Sequence, residues 1–146
     1  MAGDSYVERS EVQVLRVRAD MKGKGPAEAF RRLESKLASL RGRHFYGAFR
    51  ILPDGEEYFA CVERIDGEYA ARMGLESATI PGGLYVRRKV LDWESVIAAG
   101  KLPAIAREMV ETYQVDRSRP ELEFYRSRSE LHLLLPVLAR NPELPR

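Results

Sequence analysis

At 146 residues, with 45% hydrophobic and 32% charged residues, the chain has the balance of one globular domain, or of two small halves built round one core. A net charge of +2, with Lys and Arg interspersed among Asp and Glu, excludes the concentrated basic surface of a nucleic-acid binder. A single cysteine, Cys61, excludes an intrachain disulfide, and with only His44 and His132 beside it a structural zinc site is not expected.

The first nine residues are polar and read as a loose arm. Residues 11–18 alternate, with Val12 and Val14 inward, and predict a half-buried strand. Gly23, Gly25 and Pro26 break that pattern and open a helix over residues 26–40. Phe30, Leu33, Leu37 and Leu40 recur there at spacings of three and four, so one face is apolar. Gly42 is its expected cap. Residues 44–52 and 56–64 read as two strands of a hairpin about Pro53-Asp54-Gly55, with Gly47 marking a bulge or a close approach to the backbone. Residues 65–79 read as a connector with one helical turn near 69–73.

The pattern then repeats. Ile80-Pro-Gly-Gly83 turns into a strand over residues 84–91, and Asp92 is placed to cap a short helix beginning at Trp93. Gly100 interrupts, and residues 103–113 form a second amphipathic helix with Ile105, Ala106, Met109, Val110 and Tyr113 inward. Residues 120–137 form a hairpin about Ser127-Arg128-Ser129. Period two puts Glu121, Glu123 and Tyr125 on one face and Leu122 and Phe124 on the other. The tail past Val137, with Pro142 and Pro145, reads as unstructured.

Strand, helix, strand, strand thus occurs twice, over about residues 10–64 and 80–137: Val12 and Tyr85 stand 73 residues apart, Pro26 and Pro103 77, and Glu57 and Glu130 73, a repeat of pattern more than of sequence. The expected fold is α+β: an antiparallel sheet with two main helices, and a ligand crevice at the pseudo-twofold seam of the duplication, a common place for a pocket.

Gly25-Pro26 with Phe30 and Leu33, Phe45-Tyr46-Gly47, and Glu57-Tyr58 through Cys61-Val62 occur in that order. Ile80-Pro-Gly-Gly-Leu-Tyr85, Leu122-Glu-Phe-Tyr125 and Leu133-Leu-Leu-Pro-Val137 continue it. Over roughly residues 10–137 the chain resembles the GyrI-like small-molecule-binding domains, the effector-binding halves of bacterial multidrug-sensing transcription regulators, and it resembles a standalone member. The resemblance implies aromatic cavity walls and a buried acidic residue that receives cationic or polar lipophilic ligands. By position Glu123 is similar to that glutamate. Relatives carry a further acid four positions before the final proline, where this chain has His132.

Read from the residues themselves, Glu123 is either a solvated strand carboxylate paired with Arg87 or Arg126, or the polar floor of a pocket. Tyr46, Tyr58, Tyr85 and Tyr125 on strands, with Trp93 beside them, are either core packing or ligand-facing walls with hydroxyl handles. Pro81-Gly82-Gly83 lacks the spacing of a phosphate loop, and Cys61 sits mid-strand, where a buried thiol is inert.

Three functions follow. The favoured one is a binding module that senses or sequesters an amphipathic, lipophilic or aromatic small molecule, through Glu123, Trp93, Tyr46, Tyr58, Tyr85, Tyr125 and His132, with no cofactor, no metal and no catalytic residue. The second is a hydrolase of electrophilic lipophilic natural products in the same pocket, with Glu123 as general base or acid and Trp93 and Tyr125 holding the substrate. The third, from relatives that modulate a topoisomerase, is a protein-interaction role. No direct DNA binding and no membrane span are expected, and the location expected is cytoplasmic.

Overall fold

A computed structural model describes residues 3–141, and the alternating stretches of the sequence become strands there. In chain order the elements are β1 (Asp4–Arg9), β2 (Val12–Arg18), α1 (Gly25–Ser35), β3 (Phe45–Leu52), β4 (Gly55–Glu63) and α2 (Ala70–Met73). They continue as β5 (Glu76–Ile80), β6 (Gly83–Leu91), α3 (Trp93–Ala98), α4 (Leu102–Thr112), β7 (Glu121–Tyr125) and β8 (Glu130–Pro136). The fold is α+β, with antiparallel strands and two main helices of eleven residues each, as expected. The chain forms two compact units. The first is Glu11–Pro81; the described part of the second is the chain up to Ser10 and from Gly82 onward.

In the first unit the strands lie in the order β3, β4, β2, β5. Pro26 occupies the first turn of α1, where a missing N–H costs nothing. Ala29 and Leu33 on its inner face are fully buried, against Leu15, Tyr58, Ala60 and Val62 of the sheet. The helix stops at Ser35 and does not run to residue 40. The Ser35 hydroxyl donates back to the Arg32 carbonyl at 2.7 Å, and the amides of Lys36 and Leu37 bond to Leu33 and Glu34 in tightened turns. Leu40, read as core, is 47% exposed.

In the second unit the order is β1, β6, β8, β7. The α4 face packs Met109 onto Val86, Val90, Leu131, Leu133, Leu135 and Val137. The opening arm is not loose: residues 4–9 pair along their whole length with β6, from Asp4 opposite Arg88 to Arg9 opposite Gly83. The last four residues of the expected connector, 76–79, are also strand, since β5 pairs with β2. Its helical turn stands, as α2. Asp92 precedes α3 but makes no side-chain cap: its backbone is left-handed, at φ 51°, and its amide bonds to the Ser129 carbonyl instead. Leu138 and Asn141 of the tail donate amides to the Gln114 carbonyl and the Tyr6 hydroxyl. Pro142 and Pro145 lie outside the described residues.

Val12 of β2 stands opposite Ile80 of β5, and Tyr85 of β6 stands opposite Val7 of β1. The two ladders are reciprocal: β1, which leads into β2, pairs with β6, and β5, which leads into β6, pairs with β2. Among the described residues no helix is long and apolar enough to cross a membrane.

Candidate functional site

Strand β7 sets the site. Its buried side chains are Leu122 and Phe124, and its half-buried ones are Glu121, Glu123 and Tyr125, as the alternation predicts. Glu123 stands opposite Leu133 of β8, so the carboxylate projects to the side of the sheet on which α4 packs. It is half-buried.

The Tyr125 hydroxyl donates to Glu123 Oε1 at 2.9 Å, along the same face. The Trp93 ring meets Tyr125 edge to face, with centroids 5.1 Å apart. Trp93 is itself held by its indole N–H, which donates to the Ser127 carbonyl in the β7–β8 turn at 2.9 Å. The start of α3 and the tip of the hairpin thus lock two aromatic rings beside one carboxylate. Glu121 adds a second. Burial pushes its carboxyl up, Arg117 opposes this from 3.4 Å, and the charge of Glu123 pushes it up further. A face with two closely spaced carboxylates and two flat rings is chemically suited to a cation with aromatic substituents.

Two other predicted residues of the second unit lie on the opposite side of its sheet from Glu123. Tyr85 is fully buried on the reverse side of the second unit's sheet, under the Arg119 guanidinium at 4.8 Å, and burial raises its hydroxyl despite that arginine. His132 is also on the reverse side, opposite Phe124, with its ring edge-on to that phenyl at 5.8 Å and its Nε2 bonded to Glu130. It does not share the Glu123 face. In the first unit Tyr58 is core, packed edge-on against Phe30, and Tyr46 is buried on the side of β3 away from α1. Arg87 stands opposite Leu134, so it too projects to the reverse side of its sheet and cannot pair with Glu123. Arg126 is exposed next to Tyr125.

Burial pushes the Cys61 thiol up to about 12, against the pull of Arg16, so it is no nucleophile. Among the described residues no three His, Cys, Asp or Glu side chains come together as a metal site. A groove of about 670 Å³ opens in the first unit between the β2–α1 and β3–β4 loops, lined by Arg18, Asp20, Lys22, Leu52, Asp54 and Glu56 among others, and none of the predicted site residues lines it.

One polar cluster escaped the sequence reading. Asp4 accepts two hydrogen bonds from Arg88, at 2.6 and 2.8 Å, and one from the Tyr113 hydroxyl at 2.5 Å. Glu108 takes the remaining arm of Arg88 at 2.8 Å. The cluster ties β1 and β6 to α4. No local pattern signalled it: residues 4–9, DSYVER, do not alternate, and their two apolar side chains, Tyr6 and Val7, are adjacent.

The sequence matches no family model. It matches no curated protein. Solved structures do match. An integron cassette protein from Vibrio cholerae has a TM-score of 0.68 at 12% identity, over 93% of this chain and 96% of its own. The structure of SAV2435 bound to tetraphenylphosphonium has a TM-score of 0.62 at 11% identity, over 92% and 93%. The fold is shared with a ligand-bound protein. A hydrolase from Listeria innocua has a TM-score of 0.58 at 14% identity, over 92% and 91%. At such identities the likeness is one of fold, and fold alone does not carry an activity.

Proposed function

We propose that the protein binds amphipathic aromatic small molecules, cationic ones first, on the Glu123 face of its second unit, in the manner that its resemblance to GyrI-like domains implies. The observation that carries this reading is the Tyr125–Glu123 hydrogen bond with the Trp93 ring fixed against Tyr125. The carboxylate supplies charge and a half-dry setting, and the rings supply area. The fold shared with the protein solved on tetraphenylphosphonium supports the ligand class.

The test uses the only tryptophan as reporter. Wild type is titrated with tetraphenylphosphonium and with neutral triphenylphosphine oxide, following Trp93 fluorescence. Saturable binding of the cation is expected, weaker binding of the neutral compound, and a loss of roughly tenfold in cation affinity for Glu123→Gln, about 1.4 kcal/mol. Absence of saturable binding by either compound removes the reading.

The hydrolase reading has its own observation, a carboxylate and a phenol in hydrogen-bond contact beside a ring, which could orient a water. Incubation with an electrophilic lipophile and mass spectrometry of the products decides it. Chemical change lost in Glu123→Gln would make the site catalytic, and an unchanged compound leaves it a binding site.

A further inference from the structure

The two sides of the second unit's sheet differ in charge. On the α4 side the strands present Asp4, Glu8, Glu121 and Glu123, and their arginine, Arg88, is taken up by Asp4 and Glu108. The reverse side presents Arg9 of β1 and Arg87 and Lys89 of β6, with one strand carboxylate, Glu130, which is held by His132. Arg119, from the loop before β7, reaches the same side, over the Tyr85 ring, with its Nε on Asp116.

Two of these guanidiniums are incompletely bonded. Arg87 Nη2 donates to the Ser5 hydroxyl at 3.3 Å, but its Nε is buried without an acceptor, and among the described residues it bonds to no carboxylate. Arg119 Nη1 is buried without an acceptor too, beside Gly83. A buried charged N–H left unmatched is costly, and both lie next to Tyr85, one residue pair to either side along β6. This side is also hollow. Strands β1 and β7 are three spacings apart, about 14 Å in a flat sheet, yet the Arg9 guanidinium lies 5.5 Å from the Phe124 ring centroid. Only a curled sheet brings them so close. Across the hollow Arg87 faces Leu134, which faces Leu122, and Lys89 faces His132, which faces Phe124. The charges therefore line β1 and β6, and the floor along β8 and β7 is apolar and aromatic.

We propose that this side binds an amphipathic carboxylate. The carboxylate accepts from Arg87 Nε, with Arg9 and Arg119 adding positive charge, and the apolar body lies towards Leu134 and Phe124. A guanidinium suits a planar oxyanion, because its N–H groups are fixed in the plane that the carboxylate presents. The site is on the opposite side of the strand that carries Glu123 and takes the opposite charge, so it stands apart from the cation reading.

The experiment is calorimetric titration of the full chain with 2-naphthoate and with 2-naphthamide, which has the same body and no charge. Wild type is expected to take up the naphthoate saturably, with Kd below about 1 mM, and the amide about tenfold more weakly. Arg87→Gln is expected to lose about tenfold in naphthoate affinity with unchanged circular dichroism, and Glu123→Gln to lose none. Nitrogen-15 NMR of wild type gives a reading that needs no folded variant: the Arg87 Nε–H resonance, assigned by its absence from the Arg87→Lys spectrum, is expected to move with naphthoate and stay still with the amide. Absence of saturable naphthoate uptake, equal uptake of acid and amide, an Arg87 Nε–H resonance that stays still, or a Glu123→Gln loss as large as that of Arg87→Gln would each overturn the proposal.

Discussion

Glu121 and Asp4 are opposite cases of a carboxylate beside other charges. Burial, aided by Glu123, raises Glu121 above its ordinary value even though Arg117 pulls it down. A raised carboxyl favours the protonated folded state. Its penalty is therefore absent below the unfolded pKa, grows as pH rises towards the folded pKa, and is complete above it. Glu121→Gln is accordingly expected to raise the thermal midpoint at pH 7 and leave it unchanged at pH 3, which calorimetry at the two pH values checks. Burial also acts to raise Asp4, but the Arg88 and Tyr113 hydrogen bonds outweigh it and hold the carboxyl below its ordinary value. Its contribution is present above the unfolded pKa and is lost as pH falls through the folded one. Tyr113→Phe removes one of those donors and is expected to cost about 1 kcal/mol, a midpoint drop of about 3 °C at pH 7 that shrinks towards pH 2. The two groups also mark what a sequence discloses. The face shared by Glu121, Glu123 and Tyr125 was legible because alternation is local. The Asp4 cluster was not, because its members are brought together across 84 and 109 residues by strand pairing and by the packing of α4, which no local pattern encodes.

Glycine is required at the start of β6. Gly83 has φ 130°, and a Cβ there would meet Arg119 Nη1 at 2.7 Å. That guanidinium bonds the carbonyls of Leu84 and Val137 and, through Nε, the Asp116 carboxylate. Gly55, in the β3–β4 turn, has φ 146° with nothing near its missing side chain. Gly55→Ala should therefore cost backbone strain alone, about 1 kcal/mol, and Gly83→Ala about 3 kcal/mol, because the arginine must also move. Urea denaturation of both variants separates the two terms. Leu33→Ala, in the fully buried face of α1, is expected to cost about 3 kcal/mol by the same measurement. Helices α1 and α4 and six of the strands were readable because each carries an apolar pattern of its own. Strands β1 and β5 were not, since each has one neighbour and too few apolar residues to show a face. The end of α1 was overrun because Leu37 and Leu40 continue the period after the backbone has turned away.

Across the whole chain, the first unit is one continuous stretch, whereas the second is assembled from two. Deleting residues 1–9 is expected to strip β6 of a full ladder and leave Arg88 and Tyr113 without their acceptor, lowering the midpoint by 10 °C or more, about 4 kcal/mol, with the loss concentrated in residues 82–137 by hydrogen exchange. The reciprocal ladders have one more consequence, which concerns ancestry. A chain holding a single repeat, such as residues 1–64, would own a leading strand with nothing of its own to pair with and a first strand with a vacant side. Two such chains would cure each other, each lending its leading strand, and neither would be complete alone. Duplication and fusion would then convert a lent strand into an owned one, and would leave either copy free to change its side chains separately. Glutamates on β7, and phenylalanines and a glycine on one face of β3, would be the kind of difference that such freedom produces.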